Sequence, residues 1–398
     1  MFFQITEGTT RLVVPQQLNR SIFYNPRMEL CRDIDIASIA AFISSLPSHP
    51  LPLTYIDALA GTGARGVRLA NEVRFNLSLQ VDINDRSTPA YELINQNIAL
   101  NKVEDRAVAH NKNAKVMLLQ KRYDIVDIDP FGSPVPFLDA ACQSVKHALL
   151  VTATDTAPLC GAHTGGLRNY SAQPLNTEYH AEIGTRILLG AVTRELARYD
   201  KAIQPLLSYA SEHFIRLIVR IEKGAKKADD SIRSLGFIAH CFSCGNRFAF
   251  SYTDMLEMRL RNICELCGSK MRLTGPLYIC AIKDTAFSEE VYNELSERSS
   301  GKREEAMKIV HTCSRELDIP FFYEYHALCK SLKVHPPPII SIIEALHSNG
   351  FLATRTHFSY TGIKTDARID EIKSCLFGGS GFRVHGSRLK NEEHKPAV

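Results

Sequence analysis

Residues 127–134 combine acids, prolines and an aromatic ring in the order Asp-Ile-Asp-Pro-Phe-Gly-Ser-Pro. Asp129 can accept a hydrogen bond from an exocyclic amine on a base, whose lone pair is otherwise delocalised, and so make the nitrogen more nucleophilic. The carbonyl of Pro130 can accept the second N–H, and Phe131 can stack on the base. This pattern favours group transfer to an amine; the alternative is an Asp-Pro turn that caps the next helix.

A glycine-rich turn, residues 61–66, follows one predicted strand and opens a predicted helix. Gly61 and Gly63 permit a tight turn and close approach of a ligand to the backbone. Asp82 lies 21 residues after Gly61 at the end of the next predicted strand, where an acid accepts hydrogen bonds from ribose hydroxyls. These features predict an adenosine cofactor and leave a nicotinamide dinucleotide and S-adenosylmethionine both open. The alternative is a tight loop without a ligand.

The amine motif decides between the two cofactors, because hydride transfer requires neither the acid nor the aromatic ring of residues 127–134. It ends a predicted strand and therefore faces the same edge of the sheet as the glycine turn. We expect S-adenosylmethionine to bind there.

Two Cys-x-x-Cys pairs are separated by 19 residues: Cys241 with Cys244, and Cys264 with Cys267. This spacing is within the range of structural zinc sites. Four thiolates complete a tetrahedral zinc ion and leave no open position, so the predicted role is structural. The alternative is four free thiols.

The composition excludes several classes of protein. The 398 residues are 45% hydrophobic and 23% charged, which is typical of two or three folded domains. The sequence contains no run of about 18 apolar residues, so no membrane span is predicted, and the first residues do not resemble a secretory signal. Eleven cysteines, an odd number, fit a reducing compartment. We expect a cytoplasmic protein without membrane contact.

The net charge of +4 is too small to indicate a nucleic-acid partner. Residues 201–283, however, hold 13 Lys and Arg against 7 Asp and Glu, including Arg216, Lys223 and Arg233. Such a cluster can attract phosphates. A solvated surface explains it equally well.

Short apolar runs alternate with helical patterns from residue 51 to 153, which predicts an α/β fold with a parallel, doubly wound sheet. Further on, we predict a long helix, two more strands and a charged loop over 223–231. The predicted domains are residues 1–233 around this sheet, 234–283 around the cysteines, and an α+β unit at 284–398.

Taken together, the motifs resemble the tRNA (guanine-N2)-dimethyltransferases that act on guanosine 26. The resemblance covers about residues 5 to 375, and the compact length is similar to that of the archaeal members. It rests on residues 23–28 with Arg32 and Asp33, on 57–66, on 127–134 and on the loop 154–161.

The resemblance implies a class I S-adenosylmethionine-dependent methyltransferase domain, Rossmann-like, with a zinc-binding insert and a C-terminal domain that helps to hold tRNA. It implies two successive methyl transfers to the N2 of one guanine. Asp129 would be the catalytic carboxylate beside Pro130, and Phe131 and Phe23 would sandwich the flipped base. No protein partner is implied.

The resemblance also implies cofactor contacts. Arg32 would bind the carboxylate of S-adenosylmethionine, Asp82 its ribose, and Asn113, followed by Ala114, its adenine. The motif at 57–66 adds Asp57, Gly61, Gly63 and Arg65. Three alternatives stay open: a methyltransferase acting on another base amine, a nicotinamide-dependent oxidoreductase, and a non-catalytic RNA-binding protein.

Overall fold

The computed structural model describes residues 2–16, 22–47, 52–73, 79–257 and 262–377. The strands are β1 (Phe2–Glu7), β2 (Thr10–Pro15), β3 (Leu53–Asp57), β4 (Leu79–Asn84), β5 (Ala107–His110), β6 (Tyr123–Ile128), β7 (Val145–Ala153), β8 (Lys201–Ser211), β9 (Phe214–Lys223), β10 (Leu235–His240), β11 (Arg247–Ser251), β12 (Arg272–Tyr278), β13 (Tyr323–Glu324), β14 (Ala353–Thr356) and β15 (Ser359–Thr365).

A 3-10 turn, Pro26–Met28, precedes the first helix. The helices are α1 (Glu29–Ser44), α2 (Ala64–Glu72), α3 (Thr88–Asn101), α4 (Ala114–Gln120), α5 (Val135–Ser144), α6 (Thr156–Leu159), α7 (Gly165–Tyr170), α8 (His180–Ala197), α9 (Ala225–Arg233), α10 (Tyr252–Glu257), α11 (Thr285–Glu297), α12 (Arg303–Arg315), α13 (Tyr325–Ser331), α14 (Ile339–Ser348) and α15 (Ile369–Phe377).

The central sheet has seven strands in the order β5-β4-β3-β6-β7-β9-β8. The five strands from β5 to β7 are parallel, and β9 and β8 add an antiparallel edge. Helices cover both faces, so β6 is buried along its whole length, as expected of a central parallel strand. The predicted doubly wound sheet is confirmed.

The sheet order reverses between β3 and β6, because the chain leaves β3 towards β4 and later returns to the other side of β3. Ligands of open α/β sheets bind in the crevice that this reversal opens at the carboxyl ends of the strands. Asp57 ends β3, and Asp127 and Asp129 lie at the end of β6. The fold therefore brings the glycine turn and the amine motif to one crevice.

Two helices that we assigned to the C-terminal unit pack against α1 instead. Phe287, Val291 and Leu295 of α11 and Val310 of α12 belong to the same hydrophobic cluster as α1 and one face of the sheet. The boundary predicted at residue 284 thus falls inside one core, because the apolar faces of both helices pack on α1 and on each other. Within the described residues after 284, a separate core is formed from Tyr323 onwards.

A buried ionic cluster joins this later unit to the sheet domain. Nζ of Lys364 on β15 lies 2.9 Å from Oε1 of Glu182 on α8 and 2.8 Å from Oε1 of Glu316. Nδ1 of His357 lies 2.6 Å from the other oxygen of Glu316. Each of these side chains is at most 4% exposed, so their charges are compensated within the joint.

The segment predicted as a charged loop over 223–231 forms α9. The prediction was wrong because α9 buries only the small residues Ala228 and Ser231, which leave no apolar period in the sequence. Among the described residues, no helix is long and apolar enough to cross a membrane.

Candidate active site

A cavity of about 320 Å³ opens at the carboxyl edge of the sheet, at the reversal between β3 and β6. Its walls are the segment before α1, the glycine turn after β3, the motif after β6 and the turn between β8 and β9. Among the predicted site residues, it is lined by Phe23, Arg32, Asp57, Gly61, Arg65, Asp129, Pro130 and Phe131. Its size suits a small ligand or a nucleoside.

The glycine turn fits closely under the segment that carries Phe23. Gly61 has a φ of +56°, and a Cβ atom on it would lie 2.4 Å from the backbone oxygen of Phe23. Gly63 has a φ of +75° and stands at the N-cap of α2. Both positions therefore require glycine, for conformation at each and for space at Gly61.

Asp57 presents an unpaired carboxylate oxygen. The residue is 2% exposed, and its Oδ2 has no hydrogen-bond partner within the described residues. Burial raises its pKa to about 7; Arg65 opposes this shift, and the neighbouring Asp127 and Asp129 add to it. A buried acceptor of this kind fits the ammonium group of a ligand, which would repay the lost hydration.

Asp129 is held by Arg65. Nη2 of Arg65 lies 2.6 Å from Oδ2 of Asp129, while its Nε lies 2.9 Å from Oδ2 of Asp35 and its Nη1 lies 3.5 Å from Oδ2 of Asp127. Arg65 is 5% exposed, whereas the Asp129 side chain is 19% exposed and lines the cavity. Arg65, predicted as a cofactor contact, thus has three carboxylates around it.

Arg216, which the sequence placed in a phosphate-attracting cluster, is fully buried behind this group. The rest of the cluster lies elsewhere: Lys223 is seven residues further along β9, about 23 Å at about 3.3 Å per residue. Because β9 runs antiparallel to β7, Lys223 lies at the edge of the sheet opposite to the cavity. The expected phosphate contacts of this cluster therefore lie away from Asp129.

The rings of Phe23 and Phe131 are in contact, with centroids 5.6 Å apart and planes at 65°. A base sandwiched between two rings needs them about 7–8 Å apart and parallel, since each contact takes about 3.5–4 Å. Phe131 is 86% exposed and Phe23 42%. The two rings are neighbours as predicted, but their arrangement is closed.

Arg32 on α1 is already paired. Its Nε lies 2.7 Å from Oε2 of Glu7, and its Nη2 lies 2.5 Å from Oε1 of the same side chain. Nη1 and Nη2 also donate to the backbone oxygen of Asn25, at 3.4 and 3.3 Å, so one of the five N–H donors, on Nη1, has no partner among these four hydrogen bonds. No local pattern predicts this pair, because 25 residues separate Glu7 from Arg32.

Asp82 lies within β4, away from the glycine turn. Its carboxylate accepts hydrogen bonds from His110, Lys121 and Tyr123 at 3.1, 2.8 and 2.8 Å. Burial raises its pKa, but these three hydrogen bonds outweigh burial and bring the pKa down to about 2. The expected meeting of Asp82 with the glycine turn is therefore not found.

The acid beside the glycine turn is Asp85. β4 ends at Asn84, two residues later than predicted, so Asp85 is the acid that follows the strand. Its Oδ2 accepts a hydrogen bond from the backbone N–H of Gly61 at 2.9 Å. If the alternation of apolar and polar residues had been followed for two more residues, the predicted strand would have ended at Asn84 and indicated Asp85.

Asn113 and Ala114 stand where β5 leads into α4. The side chain of Asn113 caps the helix by accepting from the N–H of Lys115 at 3.0 Å, and Ala114 is buried. A carbonyl oxygen has two lone pairs, so Asn113 retains one for a ligand.

The four predicted metal ligands come together at the end of the small sheet β11-β10-β12. Sγ of Cys241 lies 3.5 Å from that of Cys267, and Sγ of Cys244 lies 3.5 Å from that of Cys264. All four sulfur atoms lie within 4.8 Å of one another. A zinc ion with Zn–S bonds of about 2.3 Å separates its thiolates by about 3.8 Å, so the cysteines fit zinc.

The strand order, the glycine turn after β3 and the acidic motif after β6 define a class I methyltransferase fold. The family model of N2,N2-dimethylguanosine tRNA methyltransferases matches residues 4–376. The chain belongs to this family, as its motifs predicted.

Relatives and a solved structure agree. The tRNA (guanine(26)-N(2))-dimethyltransferase of Methanosarcina mazei is 44% identical over 390 residues, which cover 95% of this chain and 99% of that protein. The enzyme of the same name from Haloarcula marismortui is 39% identical over 378 residues, 94% of this chain and 99% of its own. The complex of Trm1 from Pyrococcus horikoshii with S-adenosyl-L-methionine has a TM-score of 0.82 and 34% identity, and the match covers 94% of this chain and 99% of that one.

Proposed function

We propose that this chain transfers methyl groups from S-adenosylmethionine to the N2 of guanosine 26 in tRNA, giving N2-methylguanosine and then N2,N2-dimethylguanosine. The observation that carries this proposal is Asp129, an acid that lines a cavity of about 320 Å³ together with two aromatic rings and the glycine turn. The names of the relatives supply the substrate, and the complex of the Pyrococcus protein supplies the cofactor.

The acceptor carboxylate orients the amine. Arg65 occupies Oδ2 of Asp129, which leaves Oδ1 for one N–H of the guanine amino group. The carbonyl of Pro130 accepts the other N–H. With both hydrogens bonded in the plane of the base, the nitrogen lone pair is directed out of that plane, towards the reacting carbon.

Asp129 also receives the proton that the nitrogen gives up. S-adenosylmethionine, when bound, supplies an electrophilic methyl group on a sulfonium centre. As the nitrogen becomes positive, Oδ1 of Asp129 stabilises it and accepts the proton. We assign Arg65 to holding Asp129 and not to the cofactor, because its guanidinium is committed to three carboxylates.

Four polar side chains, the buried Ala114 and the glycine turn would hold the cofactor. Asp57 offers its unpaired oxygen to the ammonium group, and Arg32 offers its one remaining N–H, on Nη1, to the carboxylate. Asp85, in place of Asp82, accepts from the ribose hydroxyls, and Asn113 with the buried Ala114 faces the adenine. Gly61 and Gly63 let the backbone approach.

The aromatic pair must open for the base to enter. The target guanine has to leave the tRNA stack to reach Asp129. We assign the movement to Phe131, because it is the more exposed ring, and the fixed position to Phe23, whose backbone rests on Gly61.

The cysteine cluster and the C-terminal unit are assigned supporting roles. We propose a zinc ion at Cys241, Cys244, Cys264 and Cys267, and a tRNA-holding role for the unit after Tyr323. The cytoplasmic location stays a prediction.

The test is a methylation assay. The protein is incubated with S-adenosylmethionine and an unmodified tRNA transcript, and the digested nucleosides are identified by mass spectrometry. Methylated N2-guanosine that disappears when guanosine 26 is changed to adenosine supports both reaction and position. Methylation elsewhere transfers the proposal to another base amine, and no methylation with bound cofactor contradicts it.

A further inference from the structure

Arg216 lies directly behind the site without reaching the cavity. Its side chain is fully buried on β9, and its Nη1 and Nη2 lie 2.9 and 2.7 Å from the two oxygens of Asp127. Its Nε lies 2.9 Å from Oδ1 of Asp35, and Nη1 also donates to Thr152. Burying a guanidinium so completely is costly unless its partners are fixed, as they are here.

Asp127 also competes with Asp129 for Arg65. Asp127 and Asp129 both face its guanidinium, but Asp129 lies at 2.6 Å and Asp127 only at 3.5 Å. The bidentate ion pair with Arg216 uses both oxygens of Asp127, which weakens the attraction of Asp127 for Arg65. Without Arg216, the fully buried Asp127 would draw Arg65 away from Asp129.

We propose that Arg216 is a positioning residue that keeps Arg65 on Asp129 by occupying Asp127. Asp35 completes the device, because it accepts from Nε of Arg216 with one oxygen and lies next to Nε of Arg65 with the other. Two guanidiniums thus serve three carboxylates, of which Asp129 is the one that the cavity exposes. This inference rests on the proposed function, since it assigns Asp129 the amine.

Single-turnover methyl transfer to tRNA tests the proposal, normalised to folded protein by circular dichroism. Arg216→Met is expected to lose about 100-fold in rate, the effect of a misplaced reacting group. Arg216→Lys keeps a charge but cannot bridge two carboxylates, and is expected to lose rate as well. Arg186→Met is the matched control: Arg186 is equally buried, but binds Glu182 and backbone oxygens of a different region.

The double variant Asp127→Asn with Arg216→Met separates positioning from general structural damage. Because the competing charge of Asp127 is removed, the double variant is expected to transfer methyl groups at least 10-fold faster than Arg216→Met. The double variant also leaves no unpaired buried charge at position 127. A crystal structure of Arg216→Lys is expected to show Arg65 displaced towards Asp127.

Two results would overturn the inference: no rescue in the double variant, or an unchanged distance between Arg65 and Asp129 in the Arg216→Lys crystal. If the wild-type protein itself fails to methylate tRNA, the proposed function fails instead, and the crystal structure still decides whether Arg216 sets the position of Arg65.

Discussion

Nη2 of Arg65 lies 2.6 Å from Oδ2 of Asp129, and this pair governs what the carboxylate can do. A carboxylate that accepts a hydrogen bond from a buried guanidinium keeps one orientation. Asp129 therefore presents a substrate with a fixed acceptor that has one free oxygen.

Replacing Asp129 by Asn is expected to lower methyl transfer by about 10²–10³-fold and to spare tRNA binding. The amide oxygen will turn to Arg65, so the NH₂ group will face the substrate amine, donor against donor. Single-turnover rates and filter-binding affinities check this. Asp124→Asn is the control, because Asp124 lies on β6, the strand that leads to Asp129, but accepts hydrogen bonds from Thr54 and Lys146. A fully active Asp129→Asn would remove the assignment.

Asp57 is expected to make the stability of the free protein depend on pH. Its pKa in the folded state is about 7, above the ordinary value of 3.8, mainly because of burial. The stability that neutral Asp57 contributes is therefore complete below about pH 4 and is lost as the pH rises through about 7. The difference in Tm between Asp57→Asn and wild type should grow over this range and then level off.

The exposed acid Asp105 provides the comparison. Asp105→Asn should show a difference in Tm from wild type that stays flat over the same range. A flat difference for Asp57→Asn too would mean that its carboxyl is not the titrating group.

Gly132→Ala is expected to slow methyl transfer by up to about 10-fold. Gly132 has a φ of +98°, which costs an L-residue about 1–2 kcal/mol, and a Cβ there meets nothing within 4 Å, so the penalty is purely conformational. It falls on the residue after Phe131, whose movement we invoke for base entry. Gly350→Ala carries similar strain in open space at the end of α14 and should lower stability without changing the rate.

Metal analysis of the purified protein is expected to find one zinc ion per chain. Cys267→Ser should lose it and lower Tm, because the small sheet around the thiolates has only a small core of its own. Cys280→Ser, at another exposed cysteine outside the cluster, should keep the metal. Wild-type protein with no zinc after growth in zinc-containing medium would contradict the site.

His357 is expected to weaken the C-terminal joint at high pH. Burial lowers its pKa, but Cys313 and Glu316 outweigh burial and raise it to about 10. The stability it contributes is present in full below about 6.5 and is lost as the pH rises through 10. Tm should fall between about pH 9 and 10.5 in wild type and less steeply in His357→Gln; parallel curves would rule out the contribution.

The sheet and its ligand edge were predictable because the relevant signals are local. Alternating apolar runs and glycine turns fix strands, and parallel strands must bring Asp57 and Asp129 to one edge. The cysteine spacing predicted correctly that the four thiols meet, for the same reason, since each pair forms one turn.

Pairings between distant segments were not predictable. Nothing in the sequence around Arg216 distinguishes a buried ion pair from a surface charge, because the difference lies in what β9 packs against. Glu7 and Arg32 are joined across 25 residues by a hairpin without a strong pattern. Asp85 was missed through a strand end misplaced by two residues, an error that changes which acid meets the ligand.

The packing of α11 and α12 on α1 has a consequence for synthesis. α1 carries Arg32 and Asp35, yet the helices that cover it follow more than 240 residues later, and the backbone N–H of Lys302 bonds the side chain of Asp33. A nascent chain folding from its N-terminus on the ribosome leaves that surface bare until residue 315 has emerged. The helix that carries Arg32 and Asp35 is thus covered late in translation, after the whole central sheet has been made.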